Sequence, residues 1–381
     1  MNILYLTPWF PTDKNDFCGG FVPDSITALE ELGVTSQVAV TKSWKPGQTF
    51  QPQINTNIHA FRYLSIPRYY LRFLSNWSYI LRLSSSIAQL VKQYDIQLIN
   101  AHTELCGIVA TRVGKCLNIP VVVTIHGIET CSRMWIGAAG KMVDATLDQA
   151  SRVVVVGKNL LDYFQRRFIR VDHFRIIHNG FRLYPDMLNF SERKEWPTNI
   201  SIISVSNLQE GKGIDITIRA LFLLKKLKFD RWRYTIVGDG PEKKALRNLV
   251  NKLNLNEHIV FTGACEHEKV CQYLKSAHVF CLPSYREAFG IAYLEAMAYG
   301  LLTIGVAGEG PEAFIKHGET GLLVKPRDVN ELFKTLKEVM ERHGIMQEIA
   351  RQGRACVLQQ FTWQKHAESL LKVYQEILPY Q

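Results

Sequence analysis

The sequence contains no run of 18 apolar residues, the shortest stretch that normally forms a membrane-spanning helix. Its most apolar segments, such as residues 121–125 and 153–156, have the length of buried strands. The first residues lack the basic start and the apolar helix of a secretory signal, because Pro8 and Pro11 interrupt them. We therefore expect a protein that is not exported and works in the cytoplasm.

Cysteine is sparse, with 8 residues scattered over 381 positions and no Cys-x-x-Cys pair. Several cysteines stand among apolar residues, as Cys281 does between Phe280 and Leu282, which is typical of buried free thiols. This distribution favours free thiols in a reducing compartment over a disulfide framework or a zinc site.

Acidic residues are outnumbered, 35 against 45 basic ones, so the formal net charge is +10 and the pI is about 9.1. Such a charge attracts polyanions, which include nucleic acid, an anionic membrane surface and phosphorylated small molecules. Zinc-finger spacing, an RNP motif and a bZIP-like basic region are all missing, so nucleic acid is not expected as a partner. Composition leaves the other two open.

Strand-like apolar runs alternate with helical stretches along the chain, which predicts parallel sheets covered by helices. A first series of strands is predicted at residues 2–7, 37–40, 96–100, 121–124, 152–156 and 174–177. A second series is predicted at residues 200–205, 233–237, 259–262, 279–282, 302–305 and 321–324. Predicted helices include residues 23–32, 78–93, 159–168, 214–227, 241–253, 267–276, 290–299, 329–343 and 363–378.

A polar stretch without periodicity, residues 191–199, separates the two series and is predicted to be a linker. The sequence thus predicts an α/β fold of two Rossmann-like, doubly wound domains at residues 1–190 and 198–360. A last helix in 361–381 is expected to pack back toward the first domain. Doubly wound sheets bind ligands at the carboxyl ends of their strands, so the two crevices can face each other.

The densest chemical signal is the segment from Glu287 to Glu295, which follows a predicted strand and enters a helix. Gly290 allows close approach of a ligand, and the amides of Phe289, Gly290 and Ile291 open the helix and can hold a phosphate. Eight helical residues span ~12 Å, roughly the distance from the sugar to the ribose of a nucleotide sugar. On spacing alone, two solvated glutamates on an exposed helix explain the pattern about as well.

Glu287-x7-Glu295 with the intervening Phe-Gly resembles the signature of the retaining glycosyltransferase family four, whose members have the GT-B fold. Six further segments, in the same order along residues 3–375, resemble other motifs of that family. They are Cys18-Gly19-Gly20-Phe21-Val22, His126-Gly127-Ile128-Glu129, Asn179-Gly180, Gln209-Glu-Gly-Lys212-Gly213, Val237-Gly-Asp-Gly-Pro241, and Gly308-Glu-Gly-Pro-Glu312 with residues 318–324.

The resemblance implies a transfer of a hexose-type sugar from a nucleotide-sugar donor to a glycan, lipid-linked or other cell-envelope acceptor. It places the acceptor on the first domain and the donor on the second. The residues expected to be catalytic are His126, Lys212 and Glu287. The residues expected to bind the donor are Gly19, Gly20, Asn207, Lys212, Glu287, Ala288, Phe289, Gly290, Ile291 and Glu295.

Each of these positions also has an ordinary structural interpretation. Gly19 and Gly20 can simply form a tight turn, and a lone histidine such as His126 is more often a packing residue. A loop lysine such as Lys212 is usually solvated. The family motifs favour the functional roles, in which His126 lies beside the anomeric region and Lys212 neutralises the departing diphosphate.

Asn207 departs from the family pattern, which usually has an arginine five positions before the lysine. An arginine offers phosphate a charged fork, whereas asparagine offers one neutral amide. Either Lys212 and the helix amides suffice, or another basic residue supplies the charge, or the protein is catalytically weak. The intact remainder of the pattern favours the first two.

No Asp-x-Asp pair occurs, which a metal-dependent transferase of the GT-A type would need to hold a cation on the diphosphate. We therefore expect no metal and no cofactor, with a UDP-sugar favoured over a GDP- or ADP-sugar as substrate. The alternatives to a transferase are a GT-B nucleotide-sugar epimerase, a phosphorylase, and a catalytically weak nucleotide-sugar-binding protein.

The segment 61–94 interleaves basic and aromatic residues, a composition that suits the headgroup zone of an anionic bilayer. A core-facing amphipathic helix with a basic outer face explains it equally well. A peripheral contact with the inner face of the membrane is therefore an open expectation, and it fits a lipid-linked acceptor.

Overall fold

The computed structural model describes residues 1–11, 19–43, 57–63, 72–127, 138–167, 169–188 and 196–378. The chain divides into two compact units, each with its own parallel sheet. Unit 1 comprises residues 1–180 and 363–381, and unit 2 comprises residues 181–362.

The sheet of unit 1 has seven parallel strands in the order β3-β2-β1-β4-β5-β6-β7. The strands are β1 (Asn2–Thr7), β2 (Thr35–Ser43), β3 (Ile58–Tyr63), β4 (Leu98–His102), β5 (Val121–Ile125), β6 (Arg152–Val155) and β7 (Phe174–Ile176). All five residues of β4 and of β5 are buried, as expected for strands covered by helices on both faces. The order reverses between β1 and β4, so a crevice opens at the carboxyl ends of these two strands.

The described helices of unit 1 flank this sheet. They are α1 (Phe21–Glu30), α2 (Arg72–Gln93), α3 (Glu104–Leu117), α4 (Ala138–Gln149), α5 (Lys158–Arg166) and α13 (Trp363–Ile377). The last of them joins unit 1 through buried polar contacts as well as apolar ones. The Tyr374 hydroxyl accepts a 2.7 Å hydrogen bond from Asn100 Nδ2 in β4, and Asn100 Oδ1 accepts one from Thr124 in β5.

The sheet of unit 2 has six parallel strands in the order β10-β9-β8-β11-β12-β13. They are β8 (Ile200–Val205), β9 (Trp232–Val237), β10 (Ile259–Gly263), β11 (Val279–Cys281), β12 (Leu302–Val306) and β13 (Leu322–Val324). The helices are α6 (Pro185–Leu188), α7 (Ile214–Lys226), α8 (Lys243–Lys252), α9 (His267–Ser276), α10 (Ile291–Ala298), α11 (Val329–Glu341) and α12 (His343–Gln360), with a 3-10 turn at Gly310–Ala313. Here the order reverses between β8 and β11.

The observed division of the chain falls at residues 180 and 181, earlier than the predicted linker at 191–199. The reason lies in α6, which is hydrogen-bonded within unit 2. The hydroxyl of Tyr299 donates to Asp186 Oδ1 over 3.2 Å, and the guanidinium of Arg354 donates to the Met187 carbonyl over 2.8 Å. Residues 189–195 lie outside the described part of the chain.

Every predicted strand is present, with ends within about two residues except at β2, which is longer than predicted. The edge strand β3 and the helices α3, α4, α6 and α12 are absent from the predicted elements. The fold class is confirmed as two Rossmann-like α/β domains.

Candidate active site

The loop that carries Lys212 follows β8 and is fixed against the loop that follows β11. Gly213 begins α7 with φ +70°, and a Cβ at this position would lie 2.2 Å from the Pro283 carbonyl oxygen. The carbonyl of Gly211 accepts a 2.9 Å hydrogen bond from the Tyr285 amide. Only glycine fits at position 213, so the backbone on both sides of Lys212 is held in place.

Lys212 and Glu287 are 75 positions apart in the sequence, and both are predicted to act on the same ligand. In the structure they are in contact. Lys212 Nζ donates to Glu287 Oε2 over 2.9 Å, and the two side chains are 23% and 13% exposed. The two loops that hold them leave β8 and β11, the strands between which the sheet order reverses. The structure thus brings the two predicted residues together as a charged pair at the crevice of this sheet.

Glu309 holds the backbone of Glu287 and was not among the predicted site residues. Its Oε2 accepts a 2.9 Å hydrogen bond from the Glu287 amide, and the Gly310 amide donates to the Glu287 carbonyl over 2.8 Å. A Cβ on Gly310 would lie 2.4 Å from the Phe289 amide nitrogen, so this close approach requires glycine. The signal in the sequence was Glu309 itself, a carboxylate between two glycines of a recognised motif.

The carboxyl group of Glu309 has an unusual environment. Burial raises its pKa, and the neighbouring Glu287 carboxylate raises it further, while the hydrogen bond from the Glu287 amide and the Lys212 ammonium lower it. The net effect is a raised pKa, as expected for two carboxylates that share one lysine.

Gly290 begins α10 with φ +94°, and a Cβ there would lie 2.6 Å from the ring of Tyr293. Phe289 is 2% exposed and packs edge-on against Phe314 with ring centroids 5.4 Å apart, whereas Ala288 and Ile291 are half-buried. The first amides of an α-helix have no partner inside the helix, so this start offers donors to an anion. The placement fits the predicted donor-binding role, which stays a prediction.

Glu295, predicted to bind the ribose diol, lies within α10 and is 13% exposed. Its Oε1 lies 3.3 Å from His267 Nε2 at the start of α9. The His267 ring packs against Tyr184 with centroids 5.4 Å apart. In this structure the Glu295 carboxylate thus contacts the His267 imidazole. Its binding to a ribose remains a prediction.

Asn207 is exposed in the loop after β8, and its carbonyl accepts the Gln209 amide over 2.8 Å. A basic side chain lies nearby. Arg286 packs along Gly211, next to Lys212, with its Cδ 3.1 Å from where a Cβ of Gly211 would be. Arg286 is exposed, and it makes no ion pair within the described part of the chain. A guanidinium is thus available beside the lysine although position 207 has none.

In unit 1, the predicted glycine pair lies beside the end of β1. Gly19 has φ +80°, and a Cβ there would lie 2.5 Å from the backbone of Trp9, so the turn requires glycine. Gly20 immediately precedes α1, and a Cβ at this position would meet nothing within 4 Å. Its open surroundings leave room for a ligand at the helix start. Cys18 lies outside the described residues.

His126 follows β5 and faces a second histidine, His102, that the sequence reasoning missed. His126 Nε2 lies 3.0 Å from His102 Nδ1, and the rings are nearly parallel at 19°. The rings of Phe21 and Trp9 approach His126 with centroids 4.7 and 5.6 Å away. His102 could have been found because it ends a strand next to the one that precedes His126. Ile128 and Glu129 lie outside the described part of the chain.

A third histidine, His366 of α13, completes a buried cluster. Its Nε2 lies 2.9 Å from Ser25 Oγ, and its Nδ1 lies 2.8 Å from the His178 carbonyl, to which it donates. Burial lowers the pKa of His102 to about 3 and that of His366 to about 4. Burial, with His102 and His366 nearby, also lowers the pKa of His126 well below its ordinary value. The three rings are therefore neutral near pH 7.

The segment 61–94 is described only in part. Residues 64–71 lie outside the described residues, and α2 accounts for the remainder from Arg72 to Gln93. In the part of α2 whose side chains are described, Leu81 is 47% exposed, and Arg82 and Lys92 are exposed. Among the described residues, no helix is long and apolar enough to cross a membrane.

Two family models match the chain, one in each half. The model described as "Glycosyltransferase Family 4" matches residues 24–183, and the model described as "Glycosyl transferases group 1" matches residues 188–356. The boundary between the two matches lies near the division between the units.

Curated relatives match most of the chain at low identity. N-acetyl-alpha-D-glucosaminyl L-malate synthase of Bacillus anthracis is 23% identical over 308 residues, covering 79% of this chain and 80% of that protein. Glycogen synthase of Mycobacterium tuberculosis is 27% identical over 288 residues, covering 73% of this chain and 68% of that protein.

Solved structures share the fold over nearly the whole chain. Sucrose-phosphate synthase from Thermosynechococcus elongatus has a TM-score of 0.78 at 22% identity, with 99% of each chain covered. HepE of Anabaena has a TM-score of 0.77 at 19% identity, with 99% of this chain and 100% of that chain covered. The predicted GT-B type of fold is thereby confirmed.

Proposed function

We propose that this chain, which belongs to glycosyltransferase family 4, transfers a hexose-type sugar from a nucleotide-sugar donor to an acceptor with retention at the anomeric carbon. The observation that carries this proposal is the contact between Lys212 and Glu287 at the crevice of the second sheet. One ammonium, one carboxylate and the opening amides of α10 form a set of groups that suits a sugar linked to a diphosphate.

Each group has a separate role in this proposal. Lys212 neutralises the charge that develops on the leaving diphosphate, and the amides around Gly290 bind its oxygens. Glu287 accepts hydrogen bonds from the sugar hydroxyls. An incoming diphosphate offers Lys212 a new anionic partner, so it can replace Glu287 there and leave the carboxylate to the sugar hydroxyls. His126 of unit 1 keeps the proposed role of contacting the transferred sugar.

Arg286 supplies, in this proposal, the second positive charge that the arginine usual at position 207 provides in the family. Its support is the position of the side chain along Gly211, next to Lys212. A guanidinium can bind two phosphate oxygens at once, which the amide of Asn207 cannot do.

A UDP-sugar is the favoured donor. Support comes from HepE of Anabaena, which shares this fold and whose structures contain UDP and UDP-glucose. The proposed reaction uses no metal ion, since Lys212, Arg286 and the helix amides supply positive charge. Activity is therefore expected to survive EDTA, and a loss that magnesium or manganese restores would remove this part of the proposal.

The proposed acceptor is a glycan, a lipid-linked sugar or another cell-envelope component reached at an anionic membrane surface. The sequence between Glu31 and Asp95 contains seven basic residues and no acidic one, which supports electrostatic attraction to such a surface. Flotation with anionic but not with neutral liposomes at low salt would support membrane contact. Failure to float with either would remove it.

The decisive experiment measures sugar transfer with purified protein and a panel of UDP-, GDP- and ADP-sugars, with and without candidate acceptors. Lys212→Ala and Glu287→Gln are each expected to lower kcat/KM at least ~100-fold, because both groups act on the transition state. The matched control removes another lysine–glutamate pair of unit 2, Lys337 and Glu341, which lie 3.4 Å apart on α11. That variant should keep the parent rate.

The other candidate functions give different results in the same assay. A binding protein would show saturable affinity for a nucleotide without turnover, and an epimerase would release a free sugar without an acceptor. Anomeric configuration of the product, read by NMR, tests retention separately. Parent-like rates for both site variants would refute the assignment of the site.

A further inference from the structure

The two imidazoles at the crevice of unit 1 form a pair through one nitrogen of each ring. His102 is the last residue of β4, and its register partner in β5 is Thr124, two positions before His126. Their contact joins His102 Nδ1 to His126 Nε2 over 3.0 Å, a normal length for a hydrogen bond. The remaining nitrogens of the pair are His102 Nε2 and His126 Nδ1.

Both remaining nitrogens are buried and have no hydrogen-bond partner within the described part of the chain. A neutral imidazole carries one proton, on one of its two nitrogens. The pair therefore carries two protons, one of which lies between the rings. The other must sit on one of the two buried outer nitrogens, so the pair holds one buried N–H donor and one buried acceptor without protein partners.

The position of the outer proton can be argued from burial. His102 is 3% exposed, whereas His126 is half-buried. An unpartnered N–H is costly in a protein interior, and although His126 Nδ1 is itself buried, it belongs to the ring that reaches the surface, so a smaller rearrangement lets water or a ligand become its partner. This favours the tautomer in which His102 Nδ1–H donates to His126 Nε2, and His126 keeps its own proton on Nδ1.

We propose that His102 is a positioning residue that fixes the ring and the tautomer of His126, so that His126 presents a neutral Nδ1–H donor to an oxygen atom of the substrate. The inference rests on the proposed sugar-contacting role of His126 for its effect on activity, but the tautomer itself does not. Among the described residues, the rings of Tyr5, Trp9, Phe21 and His366 lie around the pair. None of these carries a carboxylate that could turn either imidazole into a cation.

The first test is the ¹⁵N NMR spectrum of the unaltered protein, labelled only in histidine. His126 should show a protonated Nδ1 and an unprotonated Nε2, because the two nitrogens of a neutral ring differ strongly in chemical shift. His126→Gln identifies the signals. A proton on His126 Nε2 would overturn the proposal, whether or not the protein transfers sugar, so failure here is separate from failure of the proposed function.

The second test compares substitutions of His102. Asparagine can place an N–H donor where Nδ1 was, whereas aspartate offers only acceptors and leucine offers neither. His102→Asn should keep the His126 tautomer and stay within about 3-fold of the parent kcat. His102→Asp should place a proton on His126 Nε2, in a neutral or a cationic ring, and His102→Leu should lower kcat about 10- to 100-fold with little change in KM.

His173, also buried in unit 1, gives the matched control. It directly precedes β7, and its Nε2 donates to the Leu147 carbonyl of α4 over 2.8 Å. His173→Asn should leave both the His126 signals and kcat unchanged. If asparagine and leucine at position 102 lower kcat equally in folded protein, or if aspartate leaves His126 Nε2 unprotonated, His102 does not position His126.

Discussion

Mild acid should destabilise unit 1 through its buried histidines. His102, His126 and His366 all have a pKa below the ordinary value of about 6.5, and the first and last have values of about 3 and 4. A lowered pKa in the folded state means that the unfolded chain takes up the protons first. The stability that these groups contribute is therefore present above about pH 6.5 and is lost as the pH falls below it.

The size of the effect follows from the ordinary pKa. At pH 5 an unfolded histidine gains about 2 kcal/mol from protonation, while a folded one with a pKa of 4 or below gains little. His102 and His366 together give a loss of up to about 4 kcal/mol between pH 7.5 and pH 5, a large part of the stability of many domains, and His126 acts in the same direction. Carboxylates of ordinary pKa are mostly ionised above pH 5, and Glu309, whose pKa is raised, lies in unit 2, so the comparison with His366→Gln is what assigns the loss to a histidine of unit 1.

The assay is urea unfolding at pH 7.5 and at pH 5, followed by tryptophan fluorescence, with the parent and His366→Gln compared. Whatever the substitution costs in absolute stability, it should reduce the loss between the two pH values by about 2 kcal/mol. The control is the exposed His317 of unit 2, whose change to Asn should leave the loss unaltered. An equal loss in the parent and in His366→Gln would refute the reasoning.

Further predictions concern the charged site and its loops. Glu309→Gln keeps an oxygen that can accept the hydrogen bond from the Glu287 amide, but it removes one negative charge from the site. The KM for the nucleotide-sugar donor should therefore fall about 2- to 10-fold in initial-rate assays, and a rise would contradict this account. Arg286→Ala should raise the KM for the donor about 10-fold, and adding Asn207→Arg should restore it; no effect of either change would show that Arg286 does not bind phosphate. Gly213→Ala should lower the free energy of unfolding, measured with a chemical denaturant, by at least about 1 kcal/mol more than Gly318→Ala does. Both glycines have a positive φ, but only a Cβ at position 213 would meet a carbonyl oxygen. Equal losses would contradict the close approach.

The strands were predictable because buried parallel strands appear in the sequence as short, continuous apolar runs. The five residues of β5 are an example, since all are apolar or threonine and all are buried. The edge strand β3 was missed because Ile58–Tyr63 mixes His59 and Arg62 with apolar residues, as a strand with one open side permits.

The helix α3 escaped prediction because glycines interrupt its pattern. Gly114 lies in the last turn of the helix, where the following segment packs against it. A Cβ at this position would lie 2.6 Å from the Ile119 carbonyl oxygen. A glycine required by tertiary contact looks, in sequence alone, like a helix breaker. The N-terminus of the helix is nevertheless capped, because the Thr103 side chain accepts a 3.2 Å hydrogen bond from the Cys106 amide.

The site was predictable where one motif held all the information, as for Glu287 and Gly290. It was not predictable where the partner came from a distant segment. Glu309 reaches the Glu287 amide from 22 positions away, and His102 reaches His126 from a neighbouring strand. Such partners become visible only when the register and the loop conformations are known.

The helix α13 gives unit 1 an unusual order of synthesis. Ala367, Leu370 and Val373 are almost fully buried in unit 1, yet the ribosome makes them only after all of unit 2. During translation the first unit therefore cannot complete its packing before α13 is synthesised. Part of its apolar surface stays uncovered, and Asn100 lacks its hydrogen bond to the Tyr374 hydroxyl. The second unit can already fold at this stage. A nascent chain halted before residue 363 should consequently bind chaperones through its first half and not through its second.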